Sequence, residues 1–498
     1  MRRCVLILIA AVCAGSLAFA GGRQASTSGG KPVVEWYTGG LIQPQVIEDM
    51  KTISKYAEDK IGVGLVFASA EEAATNVIVE SGEPFDIMNL DAGPFIKWAA
   101  MGACADITEL VKSQTPALWN SMPQDLWAAG TYNGKIYAVP IYKDVATTAF
   151  TIWDTRSVNK YNLHSLIQDT TIPGFDKIFR EIHRQDPSVY ITVNKNDDFQ
   201  LGRWVDTISS GLQAPIFGVR LDDRTRTVIS PVQDDPTWQE GLRYFRRWYQ
   251  DGLFAPDKLT SNDSWKPSDL GAPIYTSGSG WPSAASVWAG WNHNPDGTTP
   301  VETYMGPWNS TDAVRNAMNF IGANSTHKAE SLKILELAST DPVFRDMLAY
   351  GIEGKHFTYV TRPQGQTPGV IHKTGVNWEG PYHYKTGAWF IETPSGTKPV
   401  ISSPDDDLNR LNEIADQNGR ARTSVMMGFT FDNAALLTEI ANINAIWERY
   451  KDLIFSGVED PAVIVPKVMA EMNAVGLQKV KDEAQRQVNE WAKTNPLR

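Results

Sequence analysis

Strand-like and helix-like patterns of apolar residues alternate along the N-terminal part of the chain. The apolar run 33–38 predicts a strand, apolar residues at helical spacing over 46–61 predict a helix, and 63–67 predicts a second strand. A short helix over 71–80 and a third strand over 86–90 follow. This alternation predicts an α/β fold with a mostly parallel sheet and helices on both of its faces.

The ends of these strands are the first candidate ligand sites. In an open sheet of this type, ligands bind beyond the carboxyl ends of the strands, where the strand order reverses. That rule selects the segment 36–40, which includes Trp36 and Tyr37, and the segment 91–94, which begins with Asp91. Asp91 has an alternative role, because aspartate is a preferred N-cap and a helix is predicted to follow it.

A second series of elements begins after a hairpin. Asn133-Gly134 between β-prone residues predicts the turn, and Pro140 ends the pairing because proline has no backbone donor. Further strands and helices are predicted at 146–155, 175–183, 190–193, 235–251, 311–316, 329–337 and 342–350. Two strongly periodic helices, over 436–454 and 480–491, are predicted to contribute core stripes and no chemistry.

The segment 253–307 has little regular period and is rich in Gly, Pro, Ser and Trp. Within it, GWPSAASVWAGWN at 280–292 contains three indoles that fit neither a helical nor a strand period. An indole either packs in a core or offers its flat face to a sugar ring. Long irregular segments in compact proteins are more often functional than incidental, which favours a ligand site here, while both interpretations stay open for the indoles.

Composition bounds the class of protein. The chain has 498 residues with 42% hydrophobic composition, enough for two or three domains. Its formal net charge of −11 argues against nucleic acid or an anionic membrane as the main partner. Arg2 and Arg3 precede an apolar run that ends in AFA at 18–20, which predicts a secretory signal over 1–20. The Gly/Ser-rich residues 21–31 are expected to form a flexible tether.

Cysteine usage agrees with an exported chain that relies on its cores. Cys4 and Cys13 fall within the predicted signal, so Cys104 alone remains and no intramolecular disulfide is expected. Cys13 is followed by more apolar sequence, so lipid attachment through it is not expected. No later apolar stretch reaches the roughly 20 residues of a membrane span.

Catalytic motifs are missing from the sequence. It contains no HExxH, GxSxG, P-loop or CxxC motif, and its seven histidines show no close ligand spacing, so neither a metal nor a cofactor is predicted. A glycosidase is harder to exclude, because its two carboxylates leave no sequence signature. Asp144, Glu302, Glu353 and Glu379 are conceivable members of such a pair. A secreted glycan-cleaving enzyme therefore stays an alternative.

Several longer phrases carry a family resemblance. They are GPFIKWAAMGACADITELV (93–111), DLWAAGTYNGKIYAVPIYKD (125–144), FRRWYQDGLFAPD (245–257) and THKAESLKILELASTDPVFRDMLAYGIEGKHFTYV (326–360). On these phrases the chain resembles the extracellular solute-binding proteins of ABC transporters, family 1, of the long type associated with polysaccharide or oligosaccharide uptake. The phrase GFTFDNAALLTEIANINAIWERY (428–450) is similar to the C-terminal domain of one subgroup.

The resemblance implies a periplasmic-binding-protein-like fold of type II, with two discontinuous α/β lobes, a hinge and a cleft between the lobes. The implied division is 32–142 with about 312–380 as lobe 1, 143–311 as lobe 2, and about 381–498 as a hinge return and helical part packed on lobe 2. The implied crossings between the lobes lie near 139–145, 305–312 and 377–389.

The resemblance also implies a function and a site. The chain would be a non-catalytic, monomeric component that captures a carbohydrate and delivers it to ABC permease subunits, outside the cytoplasm. A peptide or an anionic sugar is the alternative solute. Trp288 stays a core candidate. The residues expected to bind ligand are Trp36, Tyr37, Asp91, Tyr142, Lys143, Asp144, Arg203, Trp204, Trp265, Trp281, Trp291, Asn292, Trp378 and Glu379.

Overall fold

Two separate sheets with their covering helices organise the chain. The computed structural model describes residues 30–38, 44–69, 72–90, 95–142, 145–146, 148–190, 199, 201–255, 259, 275–279, 297–360, 369–372 and 410–497. The strands are β1 (Val33–Thr38), β2 (Gly64–Ser69), β3 (Ile87–Leu90), β4 (Thr131–Tyr132), β5 (Lys135–Ile136), β6 (Ala138–Pro140), β7 (Ala149–Asp154), β8 (Val205–Asp206), β9 (Val219–Arg220), β10 (Tyr275–Ser279), β11 (Thr298–Glu302), β12 (Trp308–Asn309), β13 (Met318–Ile321), β14 (Phe357–Val360), β15 (Gly369–His372) and β16 (Arg422–Thr423). The α-helices are α1 (Pro44–Ile61), α2 (Glu72–Ser81), α3 (Phe95–Ala100), α4 (Thr108–Gln114), α5 (Pro116–Trp119), α6 (Thr155–Lys160), α7 (Ile172–Gln185), α8 (Pro231–Asp234), α9 (Pro236–Gln250), α10 (Thr311–Arg315), α11 (Lys328–Thr340), α12 (Pro342–Tyr350), α13 (Arg410–Arg420), α14 (Leu437–Ser456), α15 (Pro461–Ala474) and α16 (Leu477–Ala492).

The first sheet has the strand order β2-β1-β3-β13-β6. β1 pairs in parallel with β2 and with β3, so the carboxyl ends of β1 and β3 are neighbours, as the alternating pattern predicts. β13 pairs antiparallel with both β3 and β6. Four of the five strands of this sheet therefore run in the same direction, as predicted, and β13, which returns from the second unit, runs against them. Pro140 lies in β6 at the sheet edge, where a missing N–H interrupts no ladder.

The first core forms where α1 packs against this sheet. Ile53 and Ala57 recur at helical spacing on α1 and are buried in one cluster with Val34 of β1. The helix predicted over 46–61 therefore exists and begins at Pro44. Burial of its apolar stripe stabilises it, because short helices are marginal in water without tertiary packing.

The second unit is built on the antiparallel sheet β10-β7-β11. All six residues of β7 are buried, so this central strand is covered on both faces. α7 and α9 bury amphipathic stripes that meet where the rings of Phe179 and Trp248 lie 5.1 Å apart in edge contact. Both helices lie at the positions that their 3.6-residue periods predict.

The C-terminal helices share the core of the second unit. The ring of Trp447 on α14 lies 6.0 Å from that of Phe455, which in turn lies 6.4 Å from Phe245 on α9. Val480 and Val488 of α16 are fully buried in the same cluster. The two periodic stripes are therefore core, as predicted from their spacing.

In the part of the chain that the structure describes, three segments connect the two units, and we call them together the junction. The first lies between β6 and β7, and the second runs through 303–317 from β11 to β13. The third is 418–428, in which β16 pairs in parallel with β12 of the second segment. Met426 packs in the core of the second unit and Met427 in that of the first. The crossing predicted near 377–389 lies outside the described residues.

Several of the remaining predictions from the sequence concern residues outside the described ranges. The predicted signal, most of the tether, the strand residues from 191 onward and the indoles of 280–292 lie outside the described residues. Cys104 is described, buried and free. Within the described ranges, no helix combines the length and the apolar character needed to cross a bilayer.

Candidate functional site

An aromatic cluster stands at the junction. Trp204 ends a short 3₁₀ helix (Leu201–Trp204), Tyr304 follows β11, and Trp308 begins β12. The Trp204 ring centre lies 5.9 Å from that of Tyr304 and 6.3 Å from that of Trp308. The Trp204 indole Nε1 donates to the Tyr304 hydroxyl at 3.2 Å, which fixes the relative orientation of these rings. Tyr304 is 53% exposed, so it is the most accessible aromatic surface of the cluster.

Arginines cover part of these rings. The Arg422 guanidinium lies 3.9 Å from the ring centre of Trp308 and 5.9 Å from that of Trp204. The Arg220 guanidinium lies 5.2 Å from the ring centre of Trp204. An arginine over an indole face is held by a cation–π attraction of about 0.5–1 kcal/mol at an exposed site. The cluster therefore presents positive charge beside its aromatic faces.

A pocket opens beside this cluster, and we call it the junction pocket. It holds about 610 Å³ of space that is partly open to solvent. Its lining residues are Ala149, Gly202, Arg203, Val205, Leu221, Thr303, Met305, Gly306, Trp308 and Ser310. The lining combines the second unit with the second junction segment, so a bound molecule would contact both.

Two buried polar groups line the junction pocket without partners. The indole Nε1 of Trp308 and the hydroxyl of Thr303 have no hydrogen-bond partner within the described part of the chain. Trp308 is only 6% exposed and Thr303 only 3% exposed. A buried donor without a partner costs about 1–3 kcal/mol, so such groups indicate a missing water or ligand atom.

A carboxylate near the pocket is already neutralised. Glu302 at the end of β11 accepts two hydrogen bonds from the Arg420 guanidinium, both at 2.9 Å. Arg420 also donates to Asp416 at 2.8 Å. The hydrogen bond to Glu302 is the largest cause that raises the pKa of Arg420, and the hydrogen bond to Asp416 also raises it. Glu302 is therefore a structural ion-pair partner, and not a free acid or base for glycoside cleavage.

Trp36 is not a surface platform in this conformation. Its side chain has no exposed surface and packs 5.4 Å from the ring of Phe67. Its indole Nε1 donates to Asn319 Oδ1 at 3.2 Å across the first sheet. The strand pattern alone did not separate this inward-facing position from a ligand-facing one. The structure corrects the expectation for Trp36, because a fully buried ring has no face on which a sugar can lie.

Tyr37 points to the opposite face of β1 and is half-buried. Burial, followed by the charge of Glu35 and the hydrogen bond to it, raises the pKa of Tyr37 to about 12. Burial likewise raises the pKa of Glu35. Tyr37 is thus a neutral hydroxyl whose proton is held by Glu35, and a ligand would have to share it.

Tyr142 lies at the first junction segment. Its half-buried hydroxyl forms a side-chain hydrogen bond with Asn418, and burial raises its pKa. Asn418 Oδ1 also accepts from the backbone N–H of Ala146 at 3.1 Å. Tyr142 is therefore attached to the same third segment that carries Arg422.

A buried polar network links the units behind the pocket. Asp206 accepts from the Ile208 N–H and from the Ser424 hydroxyl, both at 2.9 Å. Burial raises the pKa of Asp206 to about 6. Ser209 donates to Asp312 at 2.7 Å. Ile208 and Ser209 both have left-handed backbone angles, φ 50° and 56°. A β-branched residue at positive φ is an outlier, so this turn is held by its surroundings.

The network reaches the first unit through Arg315 of α10. Its guanidinium donates to the carbonyls of Ala129 at 2.8 Å and Gly428 at 3.0 Å. Burial lowers the pKa of Arg315 to about 10, so it stays a cation at neutral pH. The junction is thus a set of specific polar contacts among three chain segments.

The structure brings only some of the predicted site residues together. Arg203 lines the junction pocket, Trp204 belongs to the aromatic cluster beside it, and Tyr142 lies at the first junction segment. Those outside the described residues are Asp91, Lys143, Asp144, Trp265, Trp281, Trp291, Asn292, Trp378 and Glu379. Tyr304, Trp308 and Arg422 were missed. The first two lie in or beside the crossing predicted at 305–312, which is the one signal that could have found them.

Two of the four carboxylates considered for a catalytic pair lie in the described ranges. Glu302 is held by Arg420, and Glu353 is an exposed residue in the turn before β14 of the first unit. Among the described residues, no group of three or more His, Cys, Asp or Glu side chains is placed to hold a metal ion. What this site offers is a binding surface made of rings, guanidinium groups and hydroxyls.

Comparisons with known families agree with this geometry. Residues 51–352 match the family described as bacterial extracellular solute-binding protein. Residues 425–493 match a second family, described as a domain of unknown function. The first match covers the first sheet apart from β1, the whole second sheet and the first two junction segments, and the second match covers α14, α15 and α16.

Relatives extend the match over nearly the whole chain. A carbohydrate ABC transporter substrate-binding protein of Streptococcus pneumoniae is 26% identical over 490 residues, which are 95% of this chain and 93% of the relative. The crystal structure of an N-glycan transport solute-binding protein from Streptococcus pneumoniae has a TM-score of 0.70 at 23% identity, covering 93% of this chain and all of that one. An extracellular solute-binding protein from Bifidobacterium longum subsp. infantis has a TM-score of 0.60 at 15% identity, covering 93% and 99%. The α/β fold of the two-lobed, type II class is therefore confirmed.

Proposed function

We propose, because the chain belongs to the bacterial extracellular solute-binding protein family, that it captures an oligosaccharide at the junction of its two units and delivers it to the permease of an ABC importer. The observation that carries this proposal is the junction pocket, lined by Arg203 and by Trp308 with its unpartnered Nε1, together with the adjoining aromatic cluster and its exposed Tyr304. The relatives support the class of solute. The 26%-identical protein is named as a carbohydrate substrate-binding protein, and the N-glycan transport protein has been crystallised with Man1GlcNAc and with Man5GlcNAc.

The chemistry of the pocket suits a sugar. An aromatic face packs against the C–H surface of a pyranose ring, and guanidinium and hydroxyl groups satisfy the ring hydroxyls. A site that is built to hydrogen-bond hydroxyls rejects an analogue that lacks them, because its own buried polar groups are then left unpaired. Arg203, Trp204 and Tyr304 supply this surface from the second unit, and Tyr142 is the nearest predicted contact on the first junction segment.

The two units act as lobes in this proposal. Lobe 1 would comprise 32–142 and about 312–380, lobe 2 would comprise 143–311, and the segment from about 381 onward would return through the junction and pack on lobe 2. A ligand that contacts both lobes favours the closed arrangement by its differential affinity for it. The permease would recognise that arrangement. The other site residues predicted from the sequence, among them Lys143, Asp144 and Trp281, remain proposed contacts.

The place of action follows from the family. An extracellular solute-binding protein works outside the cytoplasm, which fits a secretory signal over residues 1–20 and a tether after it. ATP hydrolysis would belong to other subunits of the importer, and the chain would carry no cofactor.

A ligand screen tests the proposal. Purified protein is mixed with a panel of oligosaccharides, and the melting temperature, the tryptophan fluorescence and the release of reducing ends are followed together. A ligand that binds only the folded state raises the melting temperature by mass action. We expect saturable stabilisation by at least one oligosaccharide without new reducing ends. Release of new reducing ends would establish the glycan-cleaving alternative. Stabilisation by peptides alone would show that the solute is a peptide and not a sugar.

A further inference from the structure

The polar surface of the junction pocket is mostly a donor surface. The indole Nε1 of Trp308 can only donate, and a guanidinium group has five N–H donors and no acceptor. Arg422 stands over the Trp308 ring beside the pocket. The remaining orphan, the Thr303 hydroxyl, can donate or accept. A ligand atom that satisfies this set must be an acceptor.

The arginines near the pocket differ in whether they already have carboxylate partners. Arg220 is paired with Asp235 and Asp222, and Arg420 is paired with Glu302 and Asp416, so neither is open to an anionic ligand. Arg422 has no carboxylate partner among the described residues and donates to the Met305 carbonyl. One interaction with a neutral carbonyl leaves its charge and its other N–H groups available to a ligand.

The position of Arg422 is fixed before any ligand arrives. Its stacking on Trp308 and its hydrogen bond to Met305 both come from the second junction segment, although Arg422 itself lies on the third. A guanidinium that is held in place loses less rotamer freedom on binding, and its planar fork matches a carboxylate with two parallel hydrogen bonds.

We propose that the junction pocket binds the carboxylate of an acidic sugar, with a uronic acid residue of the captured oligosaccharide as its occupant. The inference rests on the proposed function and narrows its solute class. The carboxylate accepts from Arg422 and from Trp308 Nε1, while the sugar ring packs on Tyr304. An N-acetyl carbonyl can also accept these hydrogen bonds but has no charge. Its binding should therefore depend less on Arg422 than the binding of a carboxylate does.

Calorimetric titration with three probes tests this assignment. The probes are a uronic acid trisaccharide prepared from alginate or pectin, tri-N-acetylchitotriose and mannotriose. We expect the uronic acid probe to bind at least roughly tenfold more tightly than mannotriose at low salt, which is the factor expected of one charge-assisted hydrogen bond. We also expect its affinity to fall as salt is raised, because exposed guanidinium charge is screened.

Two variants separate the contributions. Trp308→Phe removes the Nε1 donor and keeps a ring under Arg422, and Arg422→Gln removes the charge. Each is expected to weaken uronic acid binding by roughly tenfold and to change mannotriose binding less than about twofold. Arg449→Gln is the matched control, since Arg449 is also an arginine beside an aromatic ring, 4.9 Å from Tyr450, on the C-terminal helix α14. Circular dichroism checks the folding of all three.

The outcomes distinguish the inference from the function. Loss of uronic acid affinity in both site variants, with Arg449→Gln unchanged, supports the carboxylate site. Binding of tri-N-acetylchitotriose that falls in Trp308→Phe but not in Arg422→Gln overturns the carboxylate and assigns an uncharged acceptor. Tight binding of neutral oligosaccharides without uronic acid binding overturns the inference and keeps the proposed function. If no saccharide in the wider panel binds, both the carboxylate site and the proposed function are overturned.

Discussion

The guanidinium of Arg422 lies 3.9 Å from the centre of the Trp308 indole, so two of the three segments that join the units are held in contact by one cation and one ring. The two residues are 114 positions apart in sequence, and they meet because β12 and β16 pair in parallel. A ligand in the junction pocket would therefore contact the element that sets the relation between the lobes.

Arg422→Lys tests whether shape or charge makes this contact. Lysine keeps the positive charge but loses the planar stacking surface and the fork of donors. We expect the affinity for a bound oligosaccharide to fall by roughly five- to tenfold, and the free energy of unfolding to fall by about 0.5–1 kcal/mol through the lost cation–π contact. Fluorescence titration and urea unfolding measure the two effects. Equal affinity in Arg422→Lys and wild type would mean that charge alone suffices.

Tyr304→Ala separates a ligand surface from a packing surface. Tyr304 is largely exposed, so removal of its ring takes away little buried area, and we expect a stability loss under about 1 kcal/mol. Oligosaccharide affinity should fall by about tenfold or more, since an aromatic contact in a binding site is worth more than one in solvent. Tyr249→Ala is the control, because Tyr249 is an exposed tyrosine on α9. An identical loss of affinity in both variants would remove Tyr304 from the site.

Trp36→Ala should behave in the opposite way. Trp36 is completely buried and hydrogen-bonded to Asn319, so truncation leaves a cavity and removes one of the hydrogen bonds to the Asn319 amide oxygen. We expect the free energy of unfolding to fall by about 3–5 kcal/mol, as for other large-to-small core changes, with little change in affinity per folded molecule. Urea unfolding and calorimetry on the folded fraction check both parts. A stable variant with weakened binding would restore Trp36 to the site.

The contrast between Trp36 and Trp308 shows where sequence patterns stop being informative. The periods of α1, α9, α14 and α16 predicted their cores, because one stripe of apolar residues implies one buried face. Trp36 and Trp308 are both nearly buried indoles. Trp36 has a hydrogen-bond acceptor in Asn319, 283 positions away, and Trp308 has none in the part of the chain that the structure describes. The place of β13 in the first sheet could not be predicted either, since its antiparallel pairing depends on how the chain returns from the second unit.

The surroundings of the junction pocket include only part of the predicted set for the same reason. Arg203 and Trp204 could be nominated because they follow a polar loop within a unit whose elements were readable. Arg422 was missed because nothing in its local sequence indicates a partner, and its position depends on the parallel pairing of β16 with β12. Long-range contacts of this kind have no local period, and a short sequence window cannot reveal them.

Asp206 makes the stability of the junction depend on pH. Burial raises its pKa from the ordinary value of 3.8 to about 6, so the folded state holds a proton that the unfolded state has lost between these two values. The contribution of Asp206 to the free energy of unfolding is fully present below pH 3.8 and is lost as pH rises towards 6. The loss is about 3 kcal/mol at most. Asp206→Asn removes the ionisable group and keeps an acceptor for the Ile208 N–H.

We therefore expect Asp206→Asn to gain stability relative to wild type as pH rises from about 4 to about 7. Urea unfolding of both proteins across this range measures the difference, which cancels the groups that they share. Asp482→Asn, at an exposed aspartate on α16, controls for the loss of one carboxylate. A difference between Asp206→Asn and wild type that does not change with pH would show that the Asp206 carboxyl does not titrate in this range.

At Gly428 the third junction segment packs closely against the first unit. Its backbone has φ 91°, and a Cβ at this position would lie 2.5 Å from the Ala128 carbonyl oxygen. Alanine would be strained by its φ and would also push the two segments apart. We expect Gly428→Ala to lower the free energy of unfolding by about 2 kcal/mol or more, because both left-handed strain and overpacking oppose it.

A nearby glycine provides the matched control for this prediction. Gly419 lies in the last turn of α13, and a Cβ there would meet no atom within 4 Å. Gly419→Ala should therefore be neutral or should stabilise by up to about 1 kcal/mol, because alanine lowers the entropy of the unfolded chain and favours the helix. Urea unfolding of the two variants in parallel isolates the steric effect. Similar stabilities of Gly428→Ala and Gly419→Ala would mean that the backbone at Ala128 moves to accommodate the new Cβ. Ligand affinity in Gly428→Ala would then be expected to equal that of wild type.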